Sequence, residues 1–248
     1  MNKSVKRVLL GIGIVVVILA LVAGGLLLKM RAEIKNMKTM ETTEIVPNVF
    51  SIKDSFVNMF LVKDNSTYVA IDAGNDIEVI KNELKKLIIN PDSVVAVMLT
   101  HSDGDHTAAL KLFKNAKIYL SKQEEQMING TTSKFMGVGN KIYTKNYILL
   151  NDQQTLTIGN LIITGILTPG HTPGSMSYLV NEKYLFVGDA FGLKNGKIDK
   201  PNDFFSKDMK TAISSFQKIN NLLNAEYIFT AHNGYSNDYK NAVKTELK

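Results

Sequence analysis

Apolar and polar residues follow two different patterns along this chain. From Val8 to Leu28, 21 consecutive positions carry no charged or strongly polar side chain. From Val46 onward, short apolar runs are separated by amphipathic stretches. Runs at Val57–Val62, Tyr68–Ile71, Val94–Leu99, Lys117–Leu120, Gln154–Ile158, Leu161–Leu167, Met176–Leu179, Tyr184–Val187 and Tyr227–Thr230 are rich in Val, Ile, Leu or Tyr and end in turn residues, which predicts strands. Asp76–Leu87 predicts a helix, because Ile77, Ile80, Leu84 and Leu87 recur at three- and four-residue spacing. Asp208–Leu223 does the same through Met209, Ile213, Phe216, Ile219 and Leu222. His106–Phe113 predicts a short helix. Strands and helices mixed in this way imply one layered α/β (α+β) domain. Segment 122–150 is the least regular. Its Gly130, Gly137 and Gly139 surround Phe135 and Met136, and it reads equally as a flap with a hydrophobic tip or as a plain surface connection.

The long apolar run is the right length for a membrane. A bilayer core of ~30 Å needs about 20 helical residues at ~1.5 Å each. Charges flank both ends of the run and it opens the chain, which argues against a buried core helix. A secretory signal has an apolar region of roughly 7–15 residues ending in a small-x-small site. This run is longer, and Leu21-Val22-Ala23 puts a large residue at the −3 position, so an uncleaved single-pass anchor is expected. Lys3, Lys6 and Arg7 precede the span, and Lys29, Arg31, Lys35 and Lys38 follow it, so the positive-inside rule is near balance. The commoner arrangement for one N-terminal anchor places the body extracytoplasmic. Residues 29–45 read as a polar connector, helical through Arg31–Met40. The expected division is an anchor with connector over 1–40 and a globular domain over 41–248.

Composition narrows the body. The whole chain is 45% hydrophobic and 21% charged, which excludes a disordered or collagen-like chain. Cysteine is absent, which excludes disulfides, thiolate metal sites and a cysteine nucleophile. A net charge of +6 would suit nucleic acid, but residues 1–40 hold seven Lys/Arg and one acid and so account for all of it. The remaining chain is neutral, and no nucleic-acid partner is expected.

All four histidines follow predicted strands in segments dense in Gly, Asp or Thr: Thr100-His101-Ser102-Asp103-Gly104-Asp105-His106, then Pro169-Gly170-His171-Thr172, then Ala231-His232-Asn233-Gly234. Gly188-Asp189 forms a similar strand-end turn. A lone histidine or a lone Asp-Gly turn would be ordinary turn chemistry. Four of four histidines in such contexts, with carboxylates beside the first pair, instead point to a metal site, since imidazole and carboxylate suit Zn²⁺, Fe²⁺ and Mn²⁺.

The order His101-x-Asp103-x-Asp105-His106, then His171, Asp189 and His232, resembles the metallo-β-lactamase superfamily, whose signature is a His-x-His-x-Asp-His loop followed by single His, Asp and His ligands. Ala70-Ile71-Asp72-Ala73-Gly74 resembles its first motif, and the resemblance runs from Val46 to Gly234. It implies an αββα sandwich with two divalent metals at one edge of the sheets, zinc first among them. His101, Asp103 and His171 would hold one metal and Asp105, His106 and His232 the other. Asp189 would bridge the two, and Asp72 would orient ligands from outside. One position departs from the family: Asp103 stands where a histidine is usual. Either the site has lost one metal, or Asp103 ligates through an oxygen, as the glutamate of the similar flavodiiron proteins does, which would also suit iron or manganese.

The resemblance implies hydrolysis of an ester, thioester, lactone or amide bond, β-lactams included, in a small-molecule substrate. Hydroxide held by the metals would attack, and Asp105 would orient it or shuttle its proton. Arginine is absent after Arg31, which disfavours phosphodiesters and glutathione thioesters. Asn233, Tyr235, Phe191 and segment 130–140 are candidate substrate contacts. The alternatives are a non-catalytic, membrane-tethered binding protein on the same fold, or an iron redox protein. No feature of the sequence indicates an oligomeric state.

Overall fold

Strands that are apolar on both sides need cover on both sides. In the computed structural model, which describes residues 2–134, 139–245 and 247, that cover decides the architecture of residues 38–248. One sheet takes β1 (Thr43–Val46), β2 (Val49–Asp54), β3 (Val57–Asp64), β4 (Thr67–Ile71), β5 (Val94–Met98), β6 (Lys117–Ser121) and β7 (Ile148–Leu150) in sequence order. The chain then continues through β8 (Gln154–Ile158), β9 (Leu161–Leu167), β10 (Met176–Val180), β11 (Tyr184–Phe186), β12 (Gly192–Lys194), β13 (Lys197–Asp199), β14 (Tyr227–Thr230) and β15 (Gly234–Ser236). The second sheet runs β15-β14-β11-β10-β9-β8, and β12 and β13 form a separate ribbon.

Three apolar clusters make four layers. Phe60, Val62, Ile71 and Met98 of the first sheet meet Ile163, Tyr178, Phe186 and Phe229 of the second. On the outer face of the first sheet, Ile52, Leu61 and Val97 pack on Ile80 and Leu84 of a helix at Ile77–Lys86. On the outer face of the second, Leu185 and Ile228 pack on Phe216 and Ile219 of a helix at Met209–Ile219. The result is the expected αββα sandwich. Both helices start on aspartates that accept backbone N–H bonds, Asp76 from Glu78 and Val79 and Asp208 from Thr211.

Several boundaries differ from expectation. His106–Phe113 is not one helix but a turn of α-helix at Gly104–Thr107 and a 3₁₀ turn at Leu110–Leu112. The reason is competition for backbone groups. The His106 carbonyl accepts from Ala73 N, and the amides of Ala108 and Ala109 donate to Gly74 and Ala73. The helix beginning at Met209 ends at Ile219 because Asn220 and Asn221 are poor helix formers, and Leu223 lies exposed beyond it. The helix expected over Arg31–Met40 ends at Lys35, and Thr43–Val46 of the expected connector is an edge strand. Periodicity also misses β2, β7, β12, β13 and β15. Phe135, Met136 and Gly137 lie outside the described residues.

In residues 1–37 a single helix spans Lys3–Lys35, with a mean hydropathy of 2.9 over its best window. At ~1.5 Å per residue it is long enough to cross a bilayer.

Phe229 is fully buried and stacks on Phe186 with centroids 4.6 Å apart, in the middle of the inter-sheet core. Phe229→Ala is expected to lower the unfolding free energy by about 3–5 kcal/mol, read as a shifted midpoint in urea.

Candidate metal centre

The carboxyl ends of β4, β5, β9, β11 and β14 open at one edge of the sandwich. β4 is parallel to β5 and β11 to β14, so each sheet delivers its loops on the same side. Asp72 follows β4, the 101–106 loop follows β5, His171 follows β9, Asp189 follows β11 and His232 follows β14. Such carboxyl-end crevices are where open sheets place ligands.

All seven residues singled out in the sequence converge there. His171 Nε2 lies 3.1 Å from Asp103 Oδ2, and His101 Nε2 lies 3.4 Å from the same oxygen. Asp105 Oδ2 is 3.6 Å from both His106 Nε2 and His232 Nε2. Asp189 sits between the groups, its Oδ1 3.3 Å from His106 Nε2 and 3.1 Å from His232 Nε2, its Oδ2 3.5 Å from His171 Nε2. Donor atoms of His101, Asp103 and His171, and of Asp105, His106 and His232, fall within 4.8 Å of one another.

Each imidazole is turned by a bond on its other nitrogen. His106 Nδ1 donates to Asp72 Oδ2 at 2.8 Å, and His232 Nδ1 donates to the Phe56 carbonyl at 2.6 Å. The Thr100 hydroxyl gives its proton to Asp72 and so accepts from His101 Nδ1 at 3.0 Å. Ser206, which donates to the Asn202 carbonyl, faces His171 Nδ1 at 3.5 Å. Every Nε2 lone pair is thereby aimed at the same space, the arrangement that outer partners impose on metal-binding histidines.

The arrangement fits divalent cations. Among the described residues, His101 Nε2, His106 Nε2 and Asp189 Oδ1 are buried with no hydrogen-bond partner. Bonds of ~2.0–2.1 Å in a tetrahedron imply donor atoms about 3.3 Å apart, close to the spacings seen here. The electrostatics also call for positive charge. Burial would lower the pKa of His106 and His232, yet the nearby carboxylates, Asp189 foremost, raise both, that of His106 strongly. Burial would raise Asp189, but His232, His106 and His171 hold it well below the usual carboxylate range. His171 is pushed down to about 4, first by burial and then by the charge of Lys134.

Lys134 lies in segment 130–140, expected near substrate, but nothing in the pattern marks it as a partner of the ligands. Its side chain is only 6% exposed, its ammonium donates to Asp103 Oδ2, and it lies 2.8 Å from His171 Nε2. Asn140 donates to the other Asp103 oxygen at 2.8 Å. A second residue that the pattern leaves unmarked is Glu124. Its Oε1 accepts from Ser102 N and Oγ, and its Oε2 accepts from Thr172 Oγ1 and Gly174 N. It thus clamps the loop of His101 to that of His171. The clamp is so close that a Cβ on Gly174 would lie 2.1 Å from Glu124 N. No local signal marks either residue, since Lys and Glu in an irregular segment are ordinary surface chemistry. Phe191, expected near substrate, is instead a core residue packed on Phe216. Asn233 and Tyr235 lie exposed beyond His232, Tyr235 stacked on Phe229.

A family model described as "Metallo-beta-lactamase superfamily" matches residues 52–232. The chain belongs to this superfamily. It is 35% identical over 159 residues to the uncharacterized protein YobT of Bacillus subtilis, covering 56% of this chain and 64% of that one. It is 33% identical over 135 residues to the probable polyketide biosynthesis zinc-dependent hydrolase BaeB of Bacillus velezensis, covering 52% and 53%. The matches thus span somewhat more than half the length of these curated relatives. Among solved structures, a B3 metallo-beta-lactamase with an active-site glutamic acid shares the fold at a TM-score of 0.65 and 16% identity, over 84% of this chain and 86% of that one. BLEG-1, another B3 metallo-beta-lactamase, aligns at 0.61 and 25% identity, over 76% and 93%.

Burial raises the Glu124 carboxyl above its ordinary value, against the opposing charge of His101 and its four donors. A raised folded-state pKa favours the fold at low pH, and the contribution disappears as pH rises through that pKa. The stability difference between wild type and Glu124→Gln in metal-free buffer is therefore expected to change with pH above the ordinary glutamate range, wild type losing ground as pH rises. The variant amide cannot accept from all four donors, which costs about 1–3 kcal/mol. Urea unfolding at several pH values reads both effects.

Proposed function

We propose that this chain is a membrane-anchored metallo-hydrolase that cleaves an ester, thioester, lactone or amide bond of a small molecule. The observation that carries the reading is the convergence of four imidazole Nε2 atoms, each turned inward by its own partner, on three aspartates at one sandwich edge. The family supports the reaction class, and the curated zinc-dependent relative supports zinc as the metal.

His101, Asp103 and His171 would hold one cation and Asp105, His106 and His232 a second, with Asp189 reaching both. Bound divalent metal supplies a nucleophile at neutral pH by acidifying water, and charge that stabilises a developing oxyanion. The residues do the rest. Asp72 and the Phe56 carbonyl keep His106 and His232 in the tautomer that leaves Nε2 free. The Asp105 carboxylate, 22% exposed, takes a proton from the attacking water as the new carbon–oxygen bond forms. It returns that proton to the leaving oxygen, sulfur or nitrogen as the scissile bond breaks. The body outside residues 1–40 carries no net charge, which favours neutral small substrates over nucleic acid.

Helix Lys3–Lys35 would anchor the enzyme, with the hydrolase body extracytoplasmic. The full chain is expected to stay with membranes through an alkaline carbonate wash, whereas residues 38–248 alone enter the soluble fraction.

The test of the chemistry is a panel of thioester, lactone, ester and β-lactam substrates with the zinc-loaded protein. Turnover is expected for at least one class, to be abolished by chelator and restored by zinc. Asp105→Ala and His171→Ala are each expected to lose about 10²–10⁴-fold in kcat while keeping the circular dichroism of the fold. Full turnover in either variant removes the role assigned to that residue.

A further inference from the structure

The first ligand group, His101, Asp103 and His171, already has a cation in reach. Lys134 Nζ donates to Asp103 Oδ2 and lies 2.8 Å from His171 Nε2. A neutral imidazole nitrogen has one lone pair, which accepts one hydrogen bond or binds one metal ion, not both. His171 Nδ1 is turned towards Ser206, so Nε2 is the atom that Lys134 and a metal would both need.

The segment that carries Lys134 is fastened on both sides of this group. Asn140 donates to Asp103 Oδ1 at 2.8 Å and to Ser102 Oγ at 2.9 Å. Lys207 donates to Thr132 Oγ1 and to the Ser133 carbonyl at 2.9 and 2.7 Å, and its own backbone N–H bonds to the His171 carbonyl. Thr132 and Ser133 are thus tied to the side of His171 and Asn140 to that of Asp103, and Lys134 lays an ammonium between the two loops.

The identity of residue 103 suits this arrangement. Aspartate offers two anionic oxygens, one for Asn140 and one for Lys134. A histidine, usual there in the family pattern, would offer neither. Charge agrees as well. One divalent cation together with the Lys134 ammonium would neutralise the three ligand carboxylates. The second group differs: among the described contacts no ammonium lies near Asp105, His106 or His232, whereas Lys134 sits on Asp103 and His171 of the first.

We propose that Lys134 competes with metal for the His101–Asp103–His171 position, so that the chain holds one divalent cation tightly at Asp105, His106 and His232 and a second only when Lys134 withdraws. The inference rests on the metal-centre reading above and concerns the order and strength of binding. Asp103 is then the partner of an internal cation as much as a ligand. The protein would switch between a one-metal form with the 131–134 segment docked and a two-metal form with it released.

Competition of this kind weakens the apparent affinity by the fraction of molecules in which the position is free. Zinc titration of the full chain in detergent micelles, against a competing chelator, reads the two steps separately. Wild type is expected to take one equivalent tightly and a second about tenfold or more weakly. Lys134→Met is expected to tighten the second step about tenfold or more and leave the first within about twofold. Amine acylation of wild type, followed by peptide mass spectrometry, is the second readout. Lys134 should be protected with one zinc bound and reactive with two.

Two equivalents of equal affinity in wild type would overturn the proposal. So would a second step unchanged in Lys134→Met, or acylation of Lys134 that ignores zinc. If the variant fails to fold, the wild-type titration and acylation still decide. Absence of zinc binding in both wild type and Lys134→Met would instead remove the metal-centre reading itself.

Discussion

One carboxylate organises the centre. Asp72 stands at the end of β4 with φ of +64°, a backbone conformation that few non-glycine residues adopt. From there it accepts three hydrogen bonds, from Thr100 N at 2.7 Å, Thr100 Oγ1 at 2.8 Å and His106 Nδ1 at 2.8 Å. The first two pin the end of β5. Through Thr100 they also orient His101, and the third orients His106. Two histidines of different ligand groups thus answer to one buried anion. Gly188, beside Asp189, fits the same knot: its φ is +53°, and a Cβ there would lie 2.4 Å from Thr100 Oγ1.

The two sheets meet around this anion by polar as well as apolar contact. The Tyr178 hydroxyl donates to the Leu99 carbonyl, Met176 N to the Thr100 carbonyl, and Asn58 N to the Ala231 carbonyl. These bonds couple β10 to the end of β5, and β3 to the loop of His232. The geometry of the ligands is therefore a property of the whole sandwich, since moving one sheet against the other would move His101 and His106 away from His171, Asp189 and His232. Asp72 ties together loops of the first sheet only, whereas Glu124 joins a first-sheet loop to a second-sheet loop through Ser102 and Thr172. Lys134 reaches the same region with the opposite charge. The part of the site around Asp103 is consequently richer in competing polar partners than the part around His106.

Long strands and long helices were legible because burial leaves a period in the sequence. β8, β9 and β14 have the ends that their apolar runs predict, and the helices at Ile77–Lys86 and Met209–Ile219 follow their apolar stripes. Most of the missed elements are short, or lie at sheet edges and in the outer ribbon, where half-exposed strands need no apolar run; β2 is six residues long and mostly buried, but Ser51, Lys53 and Asp54 break its apolar run. Thr43–Val46 and Gly234–Ser236 are exposed to intermediate along their length. The break inside His106–Phe113 was hidden for a different reason: the groups that interrupt the helix belong to Ala73 and Gly74, a strand and a helix away in sequence.

The sequence by itself determined the family, the layered fold and the candidate ligands, because ligand chemistry is confined to a few residue types and strand ends leave them in short, spaced motifs. It also determined the apolar helix at the N-terminus, since that depends on length and composition alone. Tertiary structure decided which nitrogen of each histidine faces the centre, which is set by Asp72, Phe56 and Ser206 from other elements and by the adjacent Thr100 once its hydroxyl donates to Asp72. It also decided that Glu124 clamps two loops and that Lys134 lies against Asp103 and His171. Those roles depend on distance in space between residues far apart in the chain. A lysine or glutamate in an irregular segment has no neighbours until the sheets close around it.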